Sequence, residues 1–146
     1  MKLQTIKVAT QSAAAPHAVF ALLKDGSTWP QWSSFDAFEL ERAGLNEPFG
    51  LGAIRVFITR VSRAREEVVA LIPDRQLGYI LLSGLPFRDY RAEVTLDPLP
   101  GGGTRINWHS RFYAKYWGTG WFWRLFMMMV LNDIAKKLAK ASETCA

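Results

Sequence analysis

One cysteine, Cys145, and two histidines, His17 and His109, are all that the chain has of the residues that most often bridge strands or ligate metals. A single thiol closes no internal disulfide. Two imidazoles without a cysteine pair or a paired acidic motif give no support to a zinc site or a Ser-His-Asp triad. The expectation is therefore no metal, no cofactor and a reducing, cytoplasmic compartment. Uninterrupted apolar runs are also missing. The opening MKLQTIKVAT is broken by Gln4 and Thr5, unlike a secretory leader. FYAKYWGTGWFWRLFMMMV, residues 112 to 130, contains Lys115, Arg124 and the turn Gly118-Thr119-Gly120. A bilayer span needs about 18 or more mostly apolar residues without charges, so this stretch reads as something else. No nucleic-acid signature stands out either. The net charge is +5, but the cations are scattered: Arg60, Arg63 and Arg65 lie along a strand pattern followed at once by Glu66 and Glu67, and Lys136, Lys137 and Lys140 read as the solvated face of a helix.

What the chain has in quantity is apolar and aromatic surface. With 146 residues and 49% hydrophobic content it matches one domain, residues 1–146, able to bury a sizeable core. An aromatic share of 13% provides rings for that core and for a pocket wall.

Alternation in residues 4 to 10 gives a first strand, and Pro16 opens a helix whose apolar face is Val19, Phe20, Leu22 and Leu23, ended by Asp25-Gly26. STWPQWSSF follows, with Trp29 and Trp32 one helical turn apart and Phe35 after them, as core caps or as a pocket wall. From 36 to 113 strand patterns recur between short breaks: Phe38, Leu40 and Arg42; a loop at 44 to 52; Ile54, Val56 and Ile58 alternating with Arg55, Phe57 and Thr59; then about 63 to 72, 76 to 83, 88 to 97 and 103 to 113. Breaks this short predict an antiparallel meander.

Parity selects inner faces, because successive strand side chains point to opposite sides. Ile106, Trp108, Ser110 and Phe112 form one inner set, Tyr90, Ala92, Val94 and Leu96 another, and Leu77, Tyr79 and Leu81 a third. His109 falls on the outer face with Arg111. After Thr119, a plausible cap, a helix runs to about Ser142, and Trp123, Met127, Val130, Leu131, Ile134, Leu138 and Ala141 make a stripe that should lie on the sheet. On its other side Phe122, Phe126 and Met129 are apolar too, so the first half needs a cover: a loop, a ligand, a partner chain or a membrane surface.

The order of these elements, with Ala15-Pro16-His17-Ala18-Val19-Phe20, Trp29-Pro30-Gln31-Trp32, Pro73-Asp74-Arg75-Gln76-Leu77-Gly78-Tyr79, Gly84-Leu85-Pro86, Tyr90 and Gly102-Gly103-Thr104-Arg105-Ile106-Asn107-Trp108, resembles the START-like superfamily and, within it, the polyketide cyclase/dehydrase and lipid transport family. The resemblance implies an α+β helix-grip fold, a curved antiparallel sheet wrapped round the long C-terminal helix, with a deep apolar cavity between them. It implies binding of a lipid, isoprenoid or polyketide-like molecule.

On the inner-face assignments, the ligand-binding candidates are Trp29, Trp32, Phe35, Tyr79, Tyr90, Trp108, Ser110, Phe112, Trp123, Met127 and Val130. Whether the chain is an enzyme stays open. A cyclase or dehydratase reading would have Tyr79, Tyr90 or Arg88 polarise a carbonyl, with Asp89 and Ser110 also near the expected wall. A third reading gives Trp117, Trp121, Phe122 and Phe126, beside Lys115 and Arg124, to a peripheral membrane or protein contact, a homodimer included.

Overall fold

Seven segments of the chain pair into one antiparallel sheet in the computed structural model, which describes residues 2–144. They are β1 (Leu3–Ser12), β2 (Ala37–Arg42), β3 (Ile54–Ile58), β4 (Arg63–Ile72), β5 (Gln76–Ser83), β6 (Phe87–Pro98) and β7 (Thr104–Ala114). β2 to β7 form the expected meander, and β1 returns to pair with β7, so the spatial order is β1-β7-β6-β5-β4-β3-β2. Cys145 lies outside the described residues.

Irregular pairing curves this sheet. The register shifts between Arg65 and Glu66 and between Val68 and Ala70 in β4, and between Arg88 and Arg91 in β6. Such bulges bend and twist the strand that carries them. Gly84 turns the chain from β5 into β6 at φ 108°, in the left-handed region that glycine alone enters cheaply.

α1 (Pro16–Lys24) starts on its proline and buries Val19, Phe20 and Leu23. One 3-10 turn (Gly26–Thr28) and α2 (Trp29–Trp32) follow. α3 (Gly120–Thr144) packs against β1, β7 and α1. Its buried positions are Met127, Leu131, Ile134, Ala135, Leu138, Ala139 and Ser142, whereas Trp123, Val130 and Ala141 of the expected stripe are half-buried. The stripe shifts toward small residues because the second half of α3 comes close to the end of β1: Ser12 Oγ donates to the Ala139 carbonyl at 2.8 Å, and Glu143 accepts the Ala13 N–H at 2.8 Å. Thr119 begins the helix through its carbonyl, which accepts from Trp123 N–H at 3.1 Å, while its hydroxyl donates back to Tyr116. The architecture is the α+β helix grip.

The convex face of the sheet is covered by charge. Arg63 pairs with Glu39 at 2.9 Å and Arg65 with Glu41 at 2.7 Å, each pair joining β4 to β2 across β3. The stems of these long side chains shield Val56, which is fully buried on that outer face. No helix among the described residues is long and apolar enough to cross a membrane.

Candidate ligand site

The inner faces chosen by parity are inner faces in the structure. Trp108 and Phe112 are fully buried, and Tyr79, Tyr90 and Ser110 nearly so. Their rings occupy the space between sheet and helix in two groups. Trp29 centres the first, with ring centroids 4.5 Å from Phe57, 5.0 Å from Trp32, 6.0 Å from Phe35 and 6.2 Å from Trp108. In the second, Phe87 lies 4.4 Å from Phe112 and 5.5 Å from Trp123, and Tyr90 stacks 5.8 Å from Phe112. A hydrogen bond joins the groups, Trp108 Nε1 donating to the Tyr79 hydroxyl at 3.2 Å.

A polar cluster that sequence reasoning did not assign lies among these rings. Arg55 on β3 is fully buried, and its ladder partner on β4 is Glu66, whose side chain is 14% exposed. Arg55 Nη1 donates to the carbonyls of Leu23 at 2.9 Å and Lys24 at 3.2 Å, which closes the C-terminal end of α1. Its guanidinium lies 5.0 Å from the Phe57 ring centre and 5.5 Å from that of Trp29, within cation–π range. The Glu66 carboxylate is 3.7 Å away, an ion pair longer than a good hydrogen bond, and Arg55 Nε and Nη2 complete none.

Burial dominates the ionisation of this cluster. The Glu66 carboxyl is pushed up to about 7, with Arg55 pulling the other way. Burial draws the Arg55 guanidinium down from its usual range, opposed by Glu66. Tyr79 and Tyr90 are both pushed up, first by burial and then by neighbouring negative charge, including that of Glu66, so both phenols stay protonated as donors. Ser110 Oγ lies close enough to the Tyr90 hydroxyl to favour its ionised form yet completes no hydrogen bond of ordinary geometry. The arrangement offers an exchangeable proton near neutrality, two neutral donors and unused hydrogen-bonding capacity in an apolar surround.

A groove of about 310 Å³ is walled by Phe126, Met129, Val130 and Ile134 of α3 and by Phe35 and Thr59 opposite, with Ser34 and Asp133 also lining it. Thr59 lies one residue past the end of β3 and four residues from Arg55, about 13 Å of extended chain at 3.3 Å per residue, so the groove and the polar cluster are separate.

Of the candidate residues, Trp29, Tyr79, Tyr90, Trp108, Ser110, Phe112 and Met127 are interior, Trp32, Phe35, Trp123 and Val130 are half-buried, and Phe35 and Val130 meet in the groove. Arg88 and Asp89 are exposed where β6 bulges, Asp89 at φ 51°, so neither faces the interior cluster. His109 is exposed on the outer face, and the exposed His17 approaches Asp74 at 3.3 Å. Among the described residues no three His, Cys, Asp or Glu side chains gather as metal ligands would.

A family model for polyketide cyclase/dehydrase and lipid transport proteins matches residues 4–143. The chain belongs to this family. No curated protein sequence matches this polyketide cyclase/dehydrase and lipid transport domain. Its fold is similar to that of a START superfamily protein from Mycobacterium smegmatis, at TM-score 0.84 and 16% identity over 98% of this chain and 99% of that one. It is similar also to Ara h 8.0201, at TM-score 0.79 and 15% identity over 98% and 99% of the two chains. A third similar structure is norcoclaurine synthase from Thalictrum flavum in complex with dopamine and hydroxybenzaldehyde, at 0.74 and 13% over 96% and 86%. These likenesses show the START-like fold.

Proposed function

We propose that this domain binds a small hydrophobic molecule that carries a carbonyl or hydroxyl oxygen. The molecule enters at the groove between Phe35 and α3, rests its apolar body on the Trp29, Phe57 and Trp108 rings, and turns its oxygen toward Glu66, Tyr90 and Ser110. The observation that carries this reading is the buried polar cluster: Ser110 Oγ and two Arg55 nitrogens complete no hydrogen bond while fully buried. Buried polar atoms without partners are costly, and a ligand oxygen would supply one. The groove's size is at the lower end for small-molecule sites, which supports a compact ligand or one that displaces ring side chains as it enters.

Native mass spectrometry of the gently purified chain tests this, together with thermal shifts against a panel of fatty acyl, isoprenoid and aromatic polyketone compounds. A copurifying species or a saturable rise in Tm is expected, and Val130→Trp, which fills the groove, should abolish it. An empty protein that no member of the panel stabilises would sink the reading.

Glu66 favours a second reading, a cyclase- or dehydratase-type enzyme. A carboxyl pushed up to about 7 beside two neutral phenols can move a proton on a bound carbonyl compound while Tyr79 and Tyr90 polarise its oxygen. Turnover of polyketone substrates that survives unchanged in Glu66→Gln and Tyr90→Phe would remove these assignments.

A further inference from the structure

The apolar first half of α3 keeps one face uncovered. Trp121, Phe122, Leu125, Phe126 and Met129 lie at helical spacings along that face, opposite the gripped residues Met127 and Leu131, and Trp117 extends it into the preceding loop. Trp117 is 90% exposed, Met129 73% and Trp121 66%. Contiguous apolar surface of this kind marks an interaction site.

Charge identifies what it meets. Between Asp97 and Asp133 the sequence has no Asp or Glu, while Arg105, Arg111, Lys115 and Arg124 fall in that interval. Arg105 lies opposite Asp97 at the far end of β7 and Arg111 shares a hollow with Glu93, but Lys2 joins Arg124 and the tryptophans in space. It lines a hollow of about 360 Å³ with Trp117 and Trp121, and a second of about 460 Å³ with Trp121, Arg124 and Leu125. Among the described residues no carboxylate pairs with Lys2, Lys115 or Arg124, whereas Arg42, Arg63 and Arg65 on the other side of the sheet are all paired. The start of β6 adds Arg88 and Asp89, a cation and an anion that offset each other. A two-fold dimer through this face would bring the cations of both copies together with only Asp89, beside Arg88, and Asp133, held by Lys137 at 3.0 Å, to meet them. Tryptophan and phenylalanine bordered by unpaired Lys and Arg match instead an interface of acyl chains beneath anionic headgroups.

We propose that Trp117, Trp121 and the outer face of α3 dock on an anionic bilayer surface, with Lys2, Lys115 and Arg124 at headgroup level. Phe126 and Met129 belong both to this face and to the groove wall, so docking would turn the groove toward the acyl region. This last consequence rests on the groove being the ligand entrance, while the docking itself does not.

Cosedimentation of the full chain with phosphatidylcholine vesicles, with and without phosphatidylglycerol, tests the proposal. Partition should be about tenfold or more stronger on the anionic vesicles and should fall as salt screens it. Trp117→Ala/Trp121→Ala should abolish it with Tm unchanged. Lys2→Glu/Lys115→Glu should weaken anionic binding about thirtyfold or more, at about 1 kcal/mol per lost cation with the added carboxylates repelled by the surface. A native chain that stays in the supernatant with both vesicles, or a Trp117→Ala/Trp121→Ala variant that binds as the native chain does, overturns it. So does a native dimer that the tryptophan substitutions dissociate without any vesicle binding, because the face would then belong to a second copy. Hydrophobic-probe binding, measured without vesicles, should survive the tryptophan substitutions. Loss of the probe from the native chain with vesicle binding intact would sink the ligand reading and leave the docking surface standing.

Discussion

Arg55 and Glu66 face each other across the β3–β4 ladder and both point into the space enclosed by the sheet and α3. At 3.7 Å the pair is too open to satisfy either partner fully, and the guanidinium spends its best hydrogen bonds on the end of α1. Stability alone is a poor reason for such a pair, since well-packed apolar residues of similar volume are often as good or better.

Glu66 should make stability fall as pH rises. Its carboxyl titrates near 4.5 when unfolded and at about 7 when folded, so the folded chain holds a proton that the unfolded chain has released across that window. The contribution is fully present below the lower value and lost as pH climbs through the upper one, about 3 kcal/mol at 1.36 kcal/mol per pH unit. Urea denaturation from pH 4 to pH 8 should show this slope in the native chain and a flatter one in Glu66→Gln. Parallel profiles would refute the assignment.

Arg55→Met should destabilise by about 3 to 5 kcal/mol at pH 8, because it leaves a buried carboxylate and two helix-end carbonyls without their donor. At pH 5, where Glu66 keeps its proton, the loss should shrink. Adding Glu66→Leu should recover much of it. The readout is the denaturation midpoint of the single and double variants at both pH values.

Ser110→Ala separates ligand binding from folding. Its hydroxyl completes no hydrogen bond in the interior, so its removal should leave Tm unchanged or raise stability by up to about 1 kcal/mol. Affinity for the ligand found by mass spectrometry should drop by about fivefold or more, as for one lost hydrogen bond. Lower stability with unchanged affinity would assign Ser110 to packing instead.

Gly84→Ala should cost about 1 to 3 kcal/mol. The residue sits at φ 108°, and a Cβ there would overlap the Arg63 carbonyl, which is backbone and cannot rotate aside. Thermal denaturation checks this, with Gly101→Ala as the control: that glycine also has positive φ but open space around its Cβ position, and should lose less.

The meander was legible because its breaks are short and its alternation clean. Thr104–Ala114 buries every second side chain from end to end, and parity placed Trp108, Ser110 and Phe112 correctly. Arg55 was not legible for a physical reason: both faces of β3 are buried. Ile54 and Val56 on the outside lie near the Arg–Glu pairs, so an apolar alternation pointed away from the face that Arg55 and Phe57 share. One signal was available. Val68 and Ala64 are inner residues of β4, and Glu66 lies between them at the same parity. The extra buried positions on α3, Ala135, Ala139 and Ser142, were hidden because small residues carry little hydrophobic weight where they allow closest approach.

α3 is also fastened unevenly. Ser12 and Ala13 tie its last turns to the β1–α1 corner, while its first turns rest on ring contacts and the bond from Arg124 Nε to the Thr5 carbonyl, and turn a bare flank outward. The first turns carry the groove wall on one side and the outer rings on the other, so Phe126 and Met129 are shared by whatever enters the groove and whatever covers those rings.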